Sequence, residues 1–185
     1  ITTTVDTDTV LIAHFRALDD YEDIFLNCGP YDAAVRTADE LKMALKAASE
    51  REDLAERFRI FLYDGTYDFG TTAKTAVPQN TSLIGESQQG VLIVNNPGAV
   101  TSYQEQTPVL FIDQNQNNVY MQDLTIRQGR DWASKKSAGQ AIALRQRGKQ
   151  AAYKNVTLQG VQDTYYLNKA DASAYFEDCT ISGEV

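Results

Sequence analysis

The chain has 185 residues, and 43% of them are hydrophobic, which suffices for one domain with a buried core. The formal net charge of −8 argues against general nucleic-acid binding, and no apolar run is long enough to cross a membrane. Because the chain begins at Ile1 without an initiator Met or a signal-peptide pattern, we expect a processed or trimmed product.

Residues 1–58 are expected to form an N-terminal cap region, and a helix is its clearest element. Thr37 and Glu40 have the spacing of a capping box, which marks a helix start. Apolar residues then recur at positions i, i+3, i+4 and i+7, so we predict a helix from about Ala38 into the 50s. A stack of strand coils needs a cover over its first coil, and this helix is the candidate. The apolar stripe consists of Leu41, Ala44, Leu45 and Ala48.

Residues 59–185 have the pattern of short strands separated by turns. Arg59–Tyr63 is a predicted strand, and the turn dipeptide Asp64-Gly65 ends it. Thr81–Ile84 and Val91–Val94 are two further predicted strands. No helix of the length that connects parallel strands in a doubly wound fold fits between residues 110 and 181, which excludes that fold class.

An 18-residue pattern occurs three times without a gap, at residues 108–125, 140–157 and 163–180. Each copy has an apolar run, a polar bend, an aromatic or apolar pair, and then Asp or Asn before an apolar-Thr-apolar string. This repeat predicts an all-β fold, a right-handed parallel β-helix (solenoid) in which each copy is one coil. The copies are offset by 32 and 23 residues, so Gln140 and Asp163 should stack on adjacent coils, roughly 4.8 Å apart.

The repeat also predicts which side chains face the core. Successive strand residues alternate in direction, so the apolar residue before each Thr should point inward and each Thr outward. The inward residues are Leu124, Val156 and Cys179, and the outward ones are Thr125, Thr157 and Thr180. The Asp or Asn before them tolerates a left-handed backbone, so we predict a bend at each of these positions. They are Asp123, Asn155 and Asp178.

The single histidine and the two cysteines do not indicate a metal site. His14 has no second His or Cys at ligand spacing. Cys179 is expected to be a core residue, because a bridge to Cys28 would pull it out of the stack. Residues 121–160 carry eight basic and two acidic side chains, which would suit either an anionic substrate or a solvated face of mixed charge.

Two short strings place a polar side chain at the start of an apolar strand. They are Gly-Gln-Ala-Ile-Ala-Leu-Arg at 139–145 and Gly-Val-Gln-Asp-Thr at 160–164. Together with the strings at 64–67, 83–85 and 181–185, in this order, they resemble the pectin methylesterases, a family of carbohydrate esterases. The resemblance covers roughly residues 59–185 and departs slightly at Tyr165, where the family usually has Leu.

The resemblance implies a secreted hydrolase, extracellular or periplasmic, that removes methyl esters from galacturonan and so modifies cell-wall pectin. The family uses a parallel β-helix, two aspartates and two glutamine amides, without a metal or other cofactor. Asp163 would be the general acid/base, and Gln140 and Gln162 would donate N–H bonds to the oxyanion. Tyr166 and Val185 would line the substrate site.

The family's nucleophilic aspartate directly follows the Ile-x-Gly-x-Val string, so we expect its counterpart just beyond Val185. The chain would then be the N-terminal portion of the enzyme, and residues 1–185 alone should be inactive. The partners implied are methyl-esterified homogalacturonan and a complementary C-terminal segment, with neither nucleic acid nor membrane.

Other interpretations remain open at this point. Gln140 could simply bond a neighbouring coil, and Asp163 could be a turn carboxylate. The whole chain could be a non-catalytic β-helix module that binds acidic polysaccharide. A calcium-dependent polysaccharide lyase is less favoured, because it would need a carboxylate cluster for Ca²⁺.

Overall fold

A computed structural model describes residues 25, 29–97, 107–130 and 141–183. This part of the chain contains one regular helix and thirteen short strands, and every paired strand runs parallel to its neighbours. The elements are β1 (Ala33–Val35), α1 (Ala38–Glu50), β2 (Phe58–Leu62), β3 (Gly65–Asp68), β4 (Thr75–Ala76), β5 (Thr81–Gly85), β6 (Val91–Asn95), β7 (Leu110–Ile112), β8 (Tyr120–Gln128), β9 (Leu144–Gln146), β10 (Ala151–Gln159), β11 (Tyr165–Leu167), β12 (Ala174–Glu177) and β13 (Thr180–Ser182).

Helix α1 starts where the capping box predicts. The Thr37 hydroxyl accepts a hydrogen bond from the Glu40 amide at 3.2 Å. The Glu40 carboxylate in turn accepts one from the Arg36 amide at 2.6 Å. The helix packs against β1, β2 and β3, and the whole predicted apolar stripe is buried there. Local capping and tertiary packing thus specify the same helix.

The strands stack in three parallel strips. The first strip contains β1, β2, β5, the first halves of β8 and β10, and β12. The second contains β3, β6, the second halves of β8 and β10, and β13. The third contains β4, β7, β9 and β11. The chain therefore runs through the first, second and third strips in turn, and one such circuit is called a passage here. The strands of each passage pair with those of the passage before it.

The bend between the first two strips is confirmed. The three residues predicted there have positive φ angles, 53° at Asp123, 51° at Asn155 and 52° at Asp178. The Asn155 side chain donates a hydrogen bond of 2.6 Å to the Asp123 carboxylate one passage below. Short polar side chains thus permit the left-handed backbone and bond each other along the corner.

A second left-handed corner precedes the first strip. Its residues are Asn80, Asn118 and Gln150, with φ angles of 51°, 60° and 58°. The Asn118 amide donates to the Asn80 amide oxygen at 2.6 Å. The sequence pattern did not predict this corner.

The predicted offsets of 32 and 23 are confirmed in the first two strips. Leu124 pairs with Val156, and Thr157 pairs with Thr180. Leu124 and Val156 are fully buried, and Cys179, which has a free thiol, is half-buried against the same core. The three Thr residues lie on the more exposed face, so the predicted phase of the strands is correct.

In the third strip the predicted offsets are wrong. Leu110 pairs with Leu144, and Leu144 pairs with Tyr165, which gives offsets of 34 and 21. In the passage that contains β9, the turn from the third strip to the next first-strip strand lies between Gln146 and Ala152. It is two residues shorter than the corresponding turns of the passages before and after it. A shift of two residues keeps every side chain on its own face, so the core pattern does not reveal it.

The pairing between β9 and β11 begins at Leu144 and Tyr165, so it does not include the predicted stack of Gln140 on Asp163. Gln140 itself lies outside the described residues, as do Val185 and Cys28. Within the described residues, no helix is both long and apolar enough to span a membrane.

Candidate active site

Gln162 and Asp163 lie in the loop 160–164, which connects β10 of the second strip to β11 of the third. Both side chains are half-buried. Asp163 has a φ of 57°, in the left-handed region that few non-glycine residues adopt. Asp and Asn adopt this region more readily than other residues, as at the structural corner of Asp123, Asn155 and Asp178.

The previous passage of the chain holds this loop from one side. The Ala141 amide donates to the Gln162 carbonyl at 3.1 Å, and the Val161 amide donates to the Ala141 carbonyl at 3.2 Å. The Thr164 carbonyl accepts from the amides of Ala143 and Leu144, at 3.0 and 3.1 Å. The string that starts at residue 139 therefore runs directly beside the loop that carries Asp163.

The next passage holds the loop from the other side. The Ser182 carbonyl accepts two hydrogen bonds of 3.1 Å, one from the Gly160 amide and one from the Thr164 hydroxyl. These two donors are the first and last residues of the loop. Three of the strings on which the family resemblance depends thus meet at one place.

Two glycines make this close approach possible. A Cβ added to Gly160 would lie 2.5 Å from the Ala141 carbonyl oxygen and 2.7 Å from the Thr164 hydroxyl. A Cβ added to Gly183 would lie 2.5 Å from the same hydroxyl. Real Cβ atoms do not approach other atoms so closely, so both positions need glycine in this arrangement.

Tyr166 is part of a mixed aromatic and cationic column in the third strip. The Arg145 guanidinium lies 5.2 Å from the ring centre of Phe111 and 5.7 Å from that of Tyr166. Its Nε also donates to the Asn168 side chain at 3.2 Å. Arg145 is only 3% exposed. Tyr166 thus packs on a buried cation, and it follows Asp163 by three residues in the chain.

Sequence reasoning did not assign a role to Arg145 or Thr164. The signal for Arg145 was a cation directly after the apolar run 141–144, since a cation that is buried with such a strand requires a partner. The signal for Thr164 was weaker, because a Thr before a strand is common for reasons of β-propensity alone.

Tyr165, the departure from the family pattern, is accommodated by its surroundings. Its hydroxyl donates to the Gln146 side chain at 2.8 Å, and Tyr153 donates to the same oxygen at 2.6 Å. Burial raises the pKa of Tyr165, and burial raises the pKa of Tyr153 as well. Both tyrosines therefore stay neutral donors at physiological pH, and an apolar residue is not required at position 165.

The loop carries two functional side chains, the amide of Gln162 and the carboxylate of Asp163. Among the described residues, no three His, Cys, Asp or Glu side chains are grouped so that they could hold a metal ion. An amide can donate to a developing oxyanion without neutralising a nearby carboxylate. A carboxyl group can exchange a proton with a leaving alcohol. This pair of groups suits acyl-ester chemistry.

Comparison with known families agrees with this interpretation. The family model for pectinesterase matches residues 33–185, so the chain belongs to the pectinesterase family. Pectinesterases are carboxylic ester hydrolases. No curated protein matches the sequence significantly.

Solved pectin methylesterases are similar to this chain in structure. The enzyme from Yersinia enterocolitica is 29% identical, with a TM-score of 0.63 over 77% of this chain and 48% of its own. PemA from Erwinia chrysanthemi is 25% identical, with a TM-score of 0.64 over 83% and 49%. The carrot enzyme is 18% identical and shares the fold, with a TM-score of 0.66 over 84% and 47%. The chain spans about half the length of the solved structures that it matches.

Proposed function

We propose that this chain carries one half of the active site of a pectin methylesterase, which hydrolyses the methyl esters of galacturonan. The observation that carries the proposal is the loop that bears Gln162 and Asp163, fixed between Ala141 on one passage and Ser182 on the next. The strings around all three positions are those that resemble the family. Family membership supports the reaction class.

The fold assigned in this proposal is a right-handed parallel β-helix. The three strips of parallel strands support it, since each passage of the chain would form one coil. Helix α1 would cap the first coil, and its buried stripe against β1 to β3 supports that role. Residues 1–58 would be the cap region and residues 59–185 the coils of one domain.

In the proposed mechanism an aspartate just beyond Val185 attacks the ester carbonyl. Asp163 gives its proton to the departing methanol and then activates the water that hydrolyses the acyl-enzyme. Gln140 and Gln162 donate N–H bonds to the oxyanion of each tetrahedral intermediate. The hydrogen bonds of the loop to Ala141 on one side and to Ser182 on the other support this assignment, because they fix the main chain that carries the Asp163 carboxyl group. No cofactor takes part.

The proposed substrate is methyl-esterified homogalacturonan, outside the cell or in the periplasm. Two solved pectin methylesterases, 26% and 25% identical to this chain, are complexes with hexasaccharides. Tyr166 and Val185 would line the sugar-binding surface here. The position of Tyr166 beside Arg145, on the strip that begins after Asp163, supports that role for Tyr166.

We further propose that residues 1–185 need a complementary C-terminal segment for activity. Three large apolar side chains on the last three strands are exposed, Leu167 at 42%, Tyr175 at 62% and Ile181 at 50%. A further coil would cover them and would pair with the strand edges that they flank.

The test is methanol release from methylated galacturonan. The protein made from the complete reading frame should release methanol, residues 1–185 should not, and mixing residues 1–185 with the C-terminal segment should restore release. Binding of polygalacturonate without methanol release by the complete protein would instead support a non-catalytic polysaccharide-binding module. Methanol release by residues 1–185 alone would contradict the assigned nucleophile.

A further inference from the structure

Thr164 joins the predicted catalytic loop to the next passage through its side chain. It is 7% exposed, and its hydroxyl donates to the Ser182 carbonyl at 3.1 Å. Its own carbonyl accepts two amides of the previous passage, from Ala143 and Leu144. Thr164 is therefore bonded to the passages on both sides, and it directly follows Asp163.

The hydroxyl has a specific place in this arrangement. Gly160 and Gly183 both approach it so closely that a Cβ on either would lie within 2.7 Å of the hydroxyl oxygen. The Ser182 carbonyl would keep its bond from the Gly160 amide without it, so the hydroxyl is not needed to satisfy a buried acceptor. What the hydroxyl adds is a second attachment of the loop, at the end that carries Asp163.

We propose that Thr164 is a positioning residue, which sets Asp163 at a fixed distance from the chain that follows Gly183. This inference rests on the proposed function, in which the nucleophile lies just beyond Val185. The two aspartates would then belong to adjacent passages. Among the described residues, the Thr164–Ser182 bond is the side-chain link between those passages nearest to Asp163 in the sequence. A proton donor must lie within hydrogen-bond reach of the leaving group, so this distance governs turnover more than substrate affinity.

The test compares Thr164→Val, which keeps the shape and removes the hydroxyl, with Thr164→Ser, which keeps the hydroxyl. In the protein from the complete reading frame, Thr164→Val should lower kcat roughly 10- to 100-fold, since a displacement of about 1 Å can cost that much. KM should stay within about twofold, because ground-state binding is not affected. Thr164→Ser should keep a kcat close to that of the unchanged protein. Thr157→Val, on the outward face of β10, is the matched control and should change neither constant.

A second measurement does not depend on esterase activity. Amide hydrogen exchange of residues 160–165 should become faster in Thr164→Val and remain unchanged in Thr164→Ser. If the unchanged protein releases no methanol, the proposed function fails, and the exchange result alone decides whether Thr164 fixes the loop. Exchange and kcat both unchanged in Thr164→Val would overturn the positioning role.

A further variant covers the case in which Thr164→Val does not fold. Gly183→Ala retains the hydroxyl but pushes against it, since the added Cβ would lie 2.5 Å away. We expect the same loss of kcat with little change in KM. A folded Gly183→Ala variant with full turnover would contradict the proposal.

Discussion

The first and third strips are built from the same passages of the chain, yet their strands are stacked differently. In the first strip the offsets between the last three passages are 32 and 23, and in the third they are 34 and 21. The outer two passages are nonetheless 55 residues apart in both strips, as Tyr120 and Tyr175 or Leu110 and Tyr165 show. Only β9, the third-strip strand of the middle passage, is displaced. The shorter turn that follows it, between Gln146 and Ala152, accounts for the displacement.

The difference shows where the fold is regular and where it is adapted. On the last three passages the corner between the first and second strips has a left-handed Asp or Asn at the same position, so strands on both of its sides keep one register. The third strip is entered and left by turns of variable length. The loop with Gln162 and Asp163 enters that strip, so the predicted catalytic residues lie where turn lengths, rather than the core repeat, set their positions.

The largest effect on stability is expected from a charge placed among the buried, stacked side chains of the second strip, such as Leu124 and Val156. Val156 is fully buried at the position shared with Leu124, so Val156→Asp should destabilise the fold by several kcal/mol, as a buried unpaired charge does. Urea unfolding followed by circular dichroism measures this. Thr180→Asp, at an exposed outward position of β13, should cost far less. Equal loss in both variants would show that the alternation of the strands is not what stabilises the stack.

The next effect concerns the loop that enters the third strip. In the protein from the complete reading frame, Gln162→Ala should lower kcat by roughly 10²–10³, the usual cost of one oxyanion donor. The melting temperature should change little, because the Gln162 main chain supplies the loop's bond to Ala141. Gln159→Ala, three residues earlier on β10, serves as the control for a half-buried amide. Full turnover in Gln162→Ala would remove Gln162 from the proposed mechanism.

The short middle turn gives a smaller effect. A Cβ added to Gly148 would collide with the Gln116 carbonyl oxygen, so Gly148→Ala should cost about 1–3 kcal/mol in unfolding free energy. At Gly65 the nearest atom to an added Cβ is 3.7 Å away, an ordinary contact, so Gly65→Ala is the matched control. Equal stability of the two variants would mean that the turn does not fix the displaced strand.

The smallest effect tests the register of the first strip by titration. Lys154 pairs with Glu177, and the two side chains form an ion pair of 2.7 Å. The hydrogen bond from Lys154 holds the pKa of Glu177 below its ordinary value. The pair therefore stabilises the fold at pH values above the unfolded-state pKa of Glu177, and that contribution disappears as the pH falls through the folded-state pKa. Carboxyl chemical shifts should show a higher pKa of Glu177 in Lys154→Gln, and an unchanged pKa would contradict the pairing.

The sequence predicted the features that depend on local chemistry or on alternation. The capping box fixed the start of α1, and Asp or Asn at one repeated position fixed the corner at Asp123, Asn155 and Asp178. The offset in the third strip was not predictable in the same way, because a two-residue shift leaves every side chain on its face. The corner at Asn80, Asn118 and Gln150 was missed because its third residue, Gln, is not typical of a left-handed position.

At the candidate site, the sequence predicted two residues but not what holds them in place. Gln162 and Asp163 were identified through the family resemblance, and the structure places both in one half-buried loop. Thr164 acts through a bond to Ser182, 18 residues later, and nothing in either string signals that contact. Long-range hydrogen bonds of this kind depend on how the passages stack, which a single sequence does not encode locally.

The most direct test of the account is methanol release by Asp163→Asn in the protein from the complete reading frame. Asn keeps the size of the side chain and tolerates the left-handed backbone at this position, so the variant should fold normally. Asp178→Asn is the matched control, because Asp178 has a similar φ of 52° and lies outside the site. We expect most of the activity to be lost in Asp163→Asn and retained in Asp178→Asn, since an amide cannot deliver the proton to methanol. Full methanol release by Asp163→Asn would contradict the role assigned to this loop.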